Sequence, residues 1–121
     1  MPSSFRVAIV AGLLCFAAAG CTVCTENIFD RSSSPDGKWT TASTTRNCGP
    51  AAAPMTGVYL QPPSTNPRKL GEIVFIARHE HAVHVSWTGP HAVTITCPDC
   101  GKEVRVSRPE AHGIRISYDL R

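Results

Sequence analysis

The chain has 121 residues, with 12 Lys and Arg against 9 Asp and Glu, and its formal net charge at pH 7 is +3. That charge is too small to indicate a nucleic-acid-binding protein, and the sequence has neither a basic run nor an aromatic ladder to support one. The length is sufficient for one domain and too small for two. We therefore expect a single domain with no nucleic-acid partner.

The N-terminal segment has the composition of an export signal. Arg6 supplies a positive charge, and residues 7–19 are an uninterrupted run of 13 apolar or small residues. A membrane-spanning helix needs about 20 such residues, whereas the apolar core of a signal peptide needs only about 7–15. The run closes in three small residues and a cysteine, Ala18-Ala19-Gly20-Cys21.

This ending resembles the lipobox of bacterial lipoproteins, in which the cysteine is acylated and the leader before it is removed. The resemblance implies that residues 1–20 are a lipoprotein signal peptide and that Cys21 is the lipidation site. It places the protein in the bacterial cell envelope, lipid-anchored to a membrane and facing the periplasm or the exterior. Ala18 departs from the Leu that is usual at its position, and Thr22, by the same resemblance, favours the outer membrane.

Ordinary secretory cleavage after Ala19 is the alternative, since Ala17 and Ala19 are small enough for such a site. It would release a soluble secreted protein with five cysteines, an odd number in an oxidising compartment. Lipidation of Cys21 instead leaves four cysteines that can all pair. Removal of residues 1–20 leaves 101 residues with 11 Lys and Arg, 9 Asp and Glu, and a net charge of +2.

Residues 21–34 show no hydrophobic period, and we predict that they form a lipid-anchored tether. Ser34-Pro35-Asp36-Gly37 predicts a turn, because Pro presets φ and Gly accepts a positive φ. Behind it, period-2 patterns and β-branched runs predict strands at residues 38–46, 58–61, 72–78, 83–88, 93–96, 104–107 and 114–119. We therefore predict that residues 35–121 form an all-β domain, a single small antiparallel sandwich or open barrel of about seven strands.

Several short motifs resemble a family of small bacterial envelope proteins of unknown function. The motifs are SPDGKW at 34–39, NCG at 47–49, GEIVFIA at 71–77, VSW at 85–87 and VTI at 93–95. The resemblance covers Ser34–Thr96, implies a small β domain at a membrane, and offers no activity to carry over to this chain. The stretch PAAAP at residues 50–54 and the Cys97-Pro-Asp-Cys100 loop depart from the family's pattern.

Cys97 and Cys100 flank a tight turn, and a structural disulfide between them is the simplest interpretation. A redox-active pair is an alternative, but a low thiol pKa in such motifs needs a helix N-terminus or nearby cations, and Lys102 is the nearest cation. A disulfide at this turn leaves Cys24 to pair with Cys48. That pairing is one of the three connectivities that four cysteines allow.

A second C-x-x-C pair occurs at Cys21 and Cys24, and four thiolates from two such pairs could build a structural zinc site. A lipidated Cys21 cannot ligate a metal ion, however, and an exported chain meets oxidants before it meets zinc. We therefore prefer the two disulfides to the paired zinc site.

Histidines form the other cluster of candidate ligands. His79 and His81 would point to one face of an extended chain, so both imidazoles could bind one Cu²⁺ or Zn²⁺ ion, with His91 as a third ligand. His84 would fall on the opposite face if the strand continued. A solvated polar turn is the simpler interpretation, and we predict neither a metal ion nor a cofactor.

The sequence has no nucleophile elbow, no paired-carboxylate motif and no glycine-rich phosphate loop. We therefore predict a membrane-anchored envelope lipoprotein that is not an enzyme and acts as a binding or structural module. Its partner surface would be an exposed strand edge, with residues 39–46 as the candidate, available to an envelope protein. The alternatives are a periplasmic metal-binding protein that uses His79 and His81, and the soluble secreted β protein. The sequence leaves the oligomeric state open.

Overall fold

The structure, a computed structural model, describes residues 23–63 and 69–121. The predicted signal peptide and the lipidation site, Cys21, lie outside the described residues. The described chain forms the strands β1 (Thr25–Ser33), β2 (Thr40–Asn47), β3 (Met55–Gln61), β4 (Glu72–Arg78), β5 (His84–Gly89), β6 (Ala92–Cys97), β7 (Val104–Ser107), β8 (Glu110–Ala111) and β9 (Ile114–Leu120), with one 3₁₀ turn at Gly101–Glu103. In these two ranges, no helix has the length and apolar character needed to cross a membrane.

The strands form two sheets. One has five strands in the order β1-β2-β3-β4-β7, and the other has four in the order β5-β6-β9-β8. Neighbouring strands are antiparallel except β6 and β9, which pair in parallel. The all-β prediction is therefore confirmed. Neither sheet closes on itself, so the architecture is a two-sheet sandwich rather than an open barrel.

The two sheets share one hydrophobic core. In β6, every second residue is buried, because alternate side chains point to the same face of a strand. In β4, Val74 and Phe75 are buried at consecutive positions, because the register between β3 and β4 shifts by one residue there. The buried cluster consists of Val58, Leu60, Val74, Phe75, Ala77, Val83, Val85, Val93, Ile95, Cys97, Cys100, Ala111, Ile114 and Ile116.

The structure corrects the expected start of the β domain. Thr25–Ser33 belongs to strand β1 rather than to a tether, and it pairs along its length with β2. The sequence of β1 shows no period-2 pattern because eight of its nine residues are exposed and because the pairing shifts register at Phe29. Strand β8, the other strand beyond the expected seven, has two residues and is too short to leave a pattern.

The turn predicted at Ser34–Gly37 is confirmed. Gly37 adopts a φ of 72°, and its N–H donates to the Ser34 carbonyl oxygen at 2.9 Å. The Ser34 hydroxyl donates to Asp36 Oδ1 at 2.6 Å, and this hydrogen bond is the main cause that lowers the pKa of the Asp36 carboxyl. Local turn chemistry thus closes the β1–β2 hairpin.

Tyr118 of β9 connects the two sheets. Its hydroxyl lies 3.1 Å from the Val74 carbonyl oxygen in β4 and 2.7 Å from the Arg108 carbonyl oxygen, and it can donate to either. Its ring stacks on Phe75, with 5.9 Å between the ring centroids. Burial raises the pKa of Tyr118 to about 12.

Glu72 of β4 makes a second connection between the sheets. Its carboxylate pairs with Arg108 and with His112, which lies in the β8–β9 turn. The hydrogen bond from Arg108 is the main cause that lowers the pKa of Glu72. His112 also stacks on Trp39, with 5.4 Å between the ring centroids. Trp39 therefore covers the sandwich at the end where the β1–β2 turn lies.

We expect alkaline pH to weaken the fold through Tyr118. Its pKa in the folded protein lies above the ordinary 10.0, so its contribution to the free energy of unfolding is complete below pH 10 and is lost as pH rises through about 12. Urea unfolding across this range should show a shallower pH dependence for Tyr118→Phe than for the wild type. The pKa of Tyr59 is also raised to about 12, by burial and by Glu26. Tyr59 should therefore account for the decline in the free energy of unfolding that remains in Tyr118→Phe. Parallel curves for the two proteins would contradict this role of Tyr118.

Candidate functional site

Both predicted disulfides are confirmed, and both lie at one end of the sandwich, which we call the disulfide end. Cys24–Cys48 joins the residue before β1 to the residue after β2. Cys97–Cys100 closes the loop that leaves β6. A cleft at this end has Thr25 in its lining, next to the first disulfide, and also His81, whose ring lies beside the second.

One buried threonine holds the β4–β5 loop at the disulfide end. The Thr56 hydroxyl donates to the His79 carbonyl oxygen at 2.8 Å and accepts from the His81 N–H at 2.9 Å. The N–H of His79 donates to the Pro54 carbonyl oxygen at 2.6 Å. His79 has a φ of 70°, in the left-handed region that few residues other than glycine adopt. The chain therefore turns sharply at His79 and does not continue as an extended strand.

Because of this turn, the predicted histidine cluster is not assembled. His79 Nδ1 lies 3.2 Å from Glu103 Oε1, and its side chain is half-exposed. The side chain of His81 is only 8% exposed and faces Asp99. His91 lies in the β5–β6 turn, at the far end of β5. Among the described residues, the cluster of potential metal ligands that contains His81 includes neither His79 nor His91.

His81 instead faces the C-x-x-C loop. Its Nε2 lies 2.7 Å from the Arg78 carbonyl oxygen. Since a carbonyl oxygen can only accept, Nε2 carries the hydrogen, and Nδ1 of the neutral ring carries a lone pair. Nδ1 lies 3.2 Å from Asp99 Oδ1, yet this buried nitrogen has no hydrogen bond of acceptable geometry within the described structure. The potential ligand atoms of His81, Cys97 and Cys100 all lie within 4.8 Å of one another.

The paired C-x-x-C zinc site is excluded for the observed disulfide pattern. Cys24 is bonded to Cys48 and so does not combine with Cys97 and Cys100. Both cysteines of the Cys97–Cys100 pair are 0% exposed and belong to the hydrophobic core. This disulfide therefore sits between the core on one side and His81 on the other.

The cleft at the disulfide end has a volume of about 530 Å³. Two threonines, two asparagines and the ring of Phe29 line it on the side of β1 and β2, and Pro54, Glu80, His81 and Ala82 line it on the side of the loops. Hydroxyl and amide groups can both donate and accept hydrogen bonds, and an aromatic ring offers an apolar face. This lining is better suited to an uncharged polar ligand than to a strongly charged one.

Strand β1 is an edge strand of the five-stranded sheet, and residues 39–46 are not at an edge. Strand β2 lies between β1 and β3, so the edge predicted from the sequence is wrong. At the start of β1, Glu26 Oε1 accepts from the hydroxyls of Thr44, at 3.0 Å, and Tyr59, at 2.8 Å. At its end, the indole N–H of Trp87 donates to the Ser32 carbonyl oxygen at 3.2 Å. The middle of the strand keeps its outer edge unpaired in the described structure, and Ile28 and Phe29 are exposed there.

Three residues that shape this end were not predicted from the sequence. Thr56 carries no motif, because its importance comes from two hydrogen bonds to a loop 23 and 25 residues away. Asp99 lies inside the C-x-x-C loop and could have been found as the carboxylate between the two cysteines. Phe29 was placed in the tether because one aromatic residue among polar neighbours shows no period.

No known protein family, curated protein or solved structure matches this chain. The resemblances to the lipobox and to small envelope proteins therefore stay predictions. The site has to be interpreted from its own chemistry.

Removal of the first disulfide should loosen β1 selectively. Cys24–Cys48 has a sequence separation of 24, and the closure of such a loop lowers the entropy of the unfolded chain and so raises its free energy by about 3.5 kcal/mol at room temperature. We expect Cys24→Ser/Cys48→Ser to lower the free energy of unfolding by about that amount. Hydrogen exchange should accelerate in β1 more than in β4.

The matched control is Cys97→Ala/Cys100→Ala, which removes a disulfide that spans only three residues. It should leave the exchange of β1 close to that of the wild type. Equal acceleration of β1 in both variants would show that the first disulfide has no particular role in holding this strand.

Proposed function

We propose that this chain is a lipid-anchored module of the bacterial cell envelope that lies directly against the membrane and binds a ligand without catalysis. The anchor at Cys21 follows from the resemblance of the leader to a lipobox. The position against the membrane is supported by the distribution of exposed apolar side chains. Among the described residues, the exposed large ones are Val23, Ile28 and Phe29, with exposed fractions of 67%, 37% and 47%.

The Cys24–Cys48 disulfide supports the same position. It ties the chain to the β domain only three residues after Cys21. Three residues span at most about 11 Å in an extended chain. A lipid on Cys21 would therefore hold the disulfide end close to the headgroups instead of on a long tether.

With the anchor so close, the edge strand β1 can rest on the bilayer surface. Full burial of a side chain such as Ile28 or Phe29 stabilises by about 1.5–3 kcal/mol, and partial insertion into the headgroup region contributes less. Acyl chains contribute about 0.8 kcal/mol per buried CH₂ and dominate the affinity for the membrane. The apolar side chains would therefore orient the domain rather than attach it.

This orientation places the cleft of the disulfide end near the membrane surface. The cleft offers hydroxyl, amide and aromatic groups for binding. Of its two ionisable residues, Glu80 and His81, the histidine is engaged with the Arg78 carbonyl oxygen and faces Asp99. We therefore favour binding of an uncharged polar ligand over catalysis, and the proposal includes no cofactor.

The anchor is tested by fractionation of cells that express the full chain. We expect wild type and Cys15→Ala, a matched control in the same leader, to be found in the membrane fraction. The intact mass should equal residues 21–121 plus acyl chains, and it should rise by four hydrogens on reduction because there are two disulfides. Cys21→Ala should lose the acyl chains. A wild-type mass that starts at Gly20 without lipid would overturn the anchor and favour the soluble secreted protein.

The orientation is tested by hydroxyl-radical footprinting of two samples. One is the lipidated protein in vesicles, and the other is the protein without its lipid, in solution without detergent. Oxidation of Phe29, which is 47% exposed, should fall several-fold in vesicles, because the bilayer would cover the outer edge of β1. His91 is the control, since it is exposed in the β5–β6 turn, away from the disulfide end. Equal oxidation of Phe29 in the two samples would mean that β1 does not rest on the membrane.

A further inference from the structure

The Cys97–Cys100 disulfide lies beside an imidazole nitrogen whose lone pair has no hydrogen-bond partner in the described structure. We propose that reduction of this disulfide creates a zinc site, with Cys97, Cys100 and His81 as ligands and Asp99 as the fourth. The site differs from both metal sites considered from the sequence. It uses neither the second C-x-x-C pair nor His79, and it is independent of the lipid anchor.

Nδ1 of His81 is placed to bind a cation together with Asp99. Because Nε2 donates its hydrogen to the Arg78 carbonyl oxygen, Nδ1 presents a lone pair to Asp99 Oδ1 at 3.2 Å. A lone pair and a carboxylate oxygen repel each other at that distance unless a proton or a metal ion lies between them. The side chain of His81 is only 8% exposed, so water screens this repulsion poorly.

The four donor groups are already close together. The nitrogen and the two sulfurs lie within 4.8 Å of one another, and Asp99 Oδ1 lies 3.6 Å from Cys97 Sγ. With Zn–S bonds of about 2.3 Å and Zn–N bonds of about 2.0 Å, ligand atoms of a tetrahedral site lie about 3–4 Å apart. Small side-chain rotations are therefore sufficient. The side chain of Asp99 is 63% exposed and has room to move.

Backbone hydrogen bonds keep the loop in shape independently of the S–S bond. The N–H of Arg121 donates to the Cys97 carbonyl oxygen at 3.0 Å, and the N–H of Gly101 donates to the Arg121 carbonyl oxygen. The N–H of Glu103 donates to the Cys100 carbonyl oxygen at 2.8 Å. The two cysteines have a Cα–Cα distance of 5.5 Å. Because these contacts do not involve sulfur, reduction leaves both thiols facing His81.

The donor set favours zinc. Two thiolates and an imidazole suit soft or borderline ions such as Zn²⁺ and Cu⁺, and a carboxylate as the fourth ligand shifts the preference to Zn²⁺. Metal binding in such a site would also replace the cross-link that reduction removes. Zinc and the disulfide are thus alternative ways to hold the same loop.

The redox step needs a thiol reductant, R–SH. Two R–SH molecules reduce the disulfide: the S–S bond breaks, each cysteine sulfur becomes S–H, and the reductant leaves as R–S–S–R. Zn²⁺ then displaces the two thiol protons as two Zn–S bonds form. His81 binds through the Nδ1 lone pair, and a proton held between Nδ1 and Asp99 passes to solvent as the Zn–N bond forms.

The test uses the mature protein, unfolded in urea with a phosphine reductant to reach the buried disulfide and then refolded under reductant. Zinc content is measured by elemental analysis, and affinity is measured by competition with a chromophoric chelator. Co²⁺ is used in a parallel sample, because its thiolate charge-transfer bands report sulfur ligation. We expect one metal ion per chain in the reduced protein and none in the oxidised protein.

His81→Asn and His79→Asn form a matched pair two residues apart in one loop. His81→Asn should weaken zinc binding at least tenfold, and His79→Asn should leave it unchanged. Asp99→Asn should weaken Zn²⁺ binding more than Cu⁺ binding. Cys24→Ser/Cys48→Ser should still bind one zinc ion with thiolate bands in the Co²⁺ spectrum.

Four outcomes would overturn the proposal. The first is absence of zinc from the reduced, refolded wild type, and the second is equal zinc affinity of His81→Asn and His79→Asn. The third is a zinc content of the oxidised protein equal to that of the reduced protein. The fourth is loss of zinc binding in Cys24→Ser/Cys48→Ser while circular dichroism shows that this variant is folded. The histidine pair leaves all four cysteines in place, so its outcome holds even if a cysteine variant does not fold.

Discussion

The Cys24–Cys48 disulfide is the constraint that holds the edge strand β1 on its sheet. Strand β1 is exposed along most of its length and contributes little to the hydrophobic core, so packing alone does not explain why it stays on the sheet. A covalent bond holds its start, the Glu26 carboxylate binds two hydroxyls of the neighbouring strands, and the indole of Trp87 binds its end. Once β1 is held, the stretch from Cys21 to Cys24 would be too short to act as a spacer behind the proposed lipid anchor.

The two ends of the sandwich differ in the side-chain groups that they bring together. At the end with the β1–β2 turn, Glu72 pairs with Arg108 and His112, and His112 stacks on Trp39, so charged and aromatic groups connect the sheets. At the disulfide end, the cleft, the His81 imidazole and both disulfides occur together. Glu72 and the Trp39–His112 stack thus connect the sheets at one end, and the buried His81 Nδ1, which has no hydrogen-bond partner in the described structure, lies at the other. The proposed anchor at Cys21 would hold any ligand of this end close to the membrane.

The two disulfides also differ in what they contribute. Cys24–Cys48 closes a long stretch of chain and stabilises by restricting the unfolded state. Cys97–Cys100 closes three residues, in a loop that backbone hydrogen bonds to Arg121 already hold, so its contribution to the stability of the fold is smaller. A cross-link that the fold needs less can take part in chemistry without unfolding the domain. This difference makes the pair beside His81 the more suitable one for a reversible change.

Local sequence by itself determined the fold class, the Ser34–Gly37 turn and most strands, because β-branched alternation and turn residues act over a few neighbouring positions. The disulfide pairing followed from the short Cys97–Cys100 spacing, which left Cys24 to pair with Cys48, whereas counting alone allows three connectivities for four cysteines. Strand β1 escaped prediction because a mostly exposed edge strand with a register shift has no periodic pattern. Only the tertiary structure decided the rest. His81 and the Cys97–Cys100 sulfurs are separated along the chain, and they meet because Thr56, in a third segment, orients the β4–β5 loop through hydrogen bonds that no sequence spacing encodes.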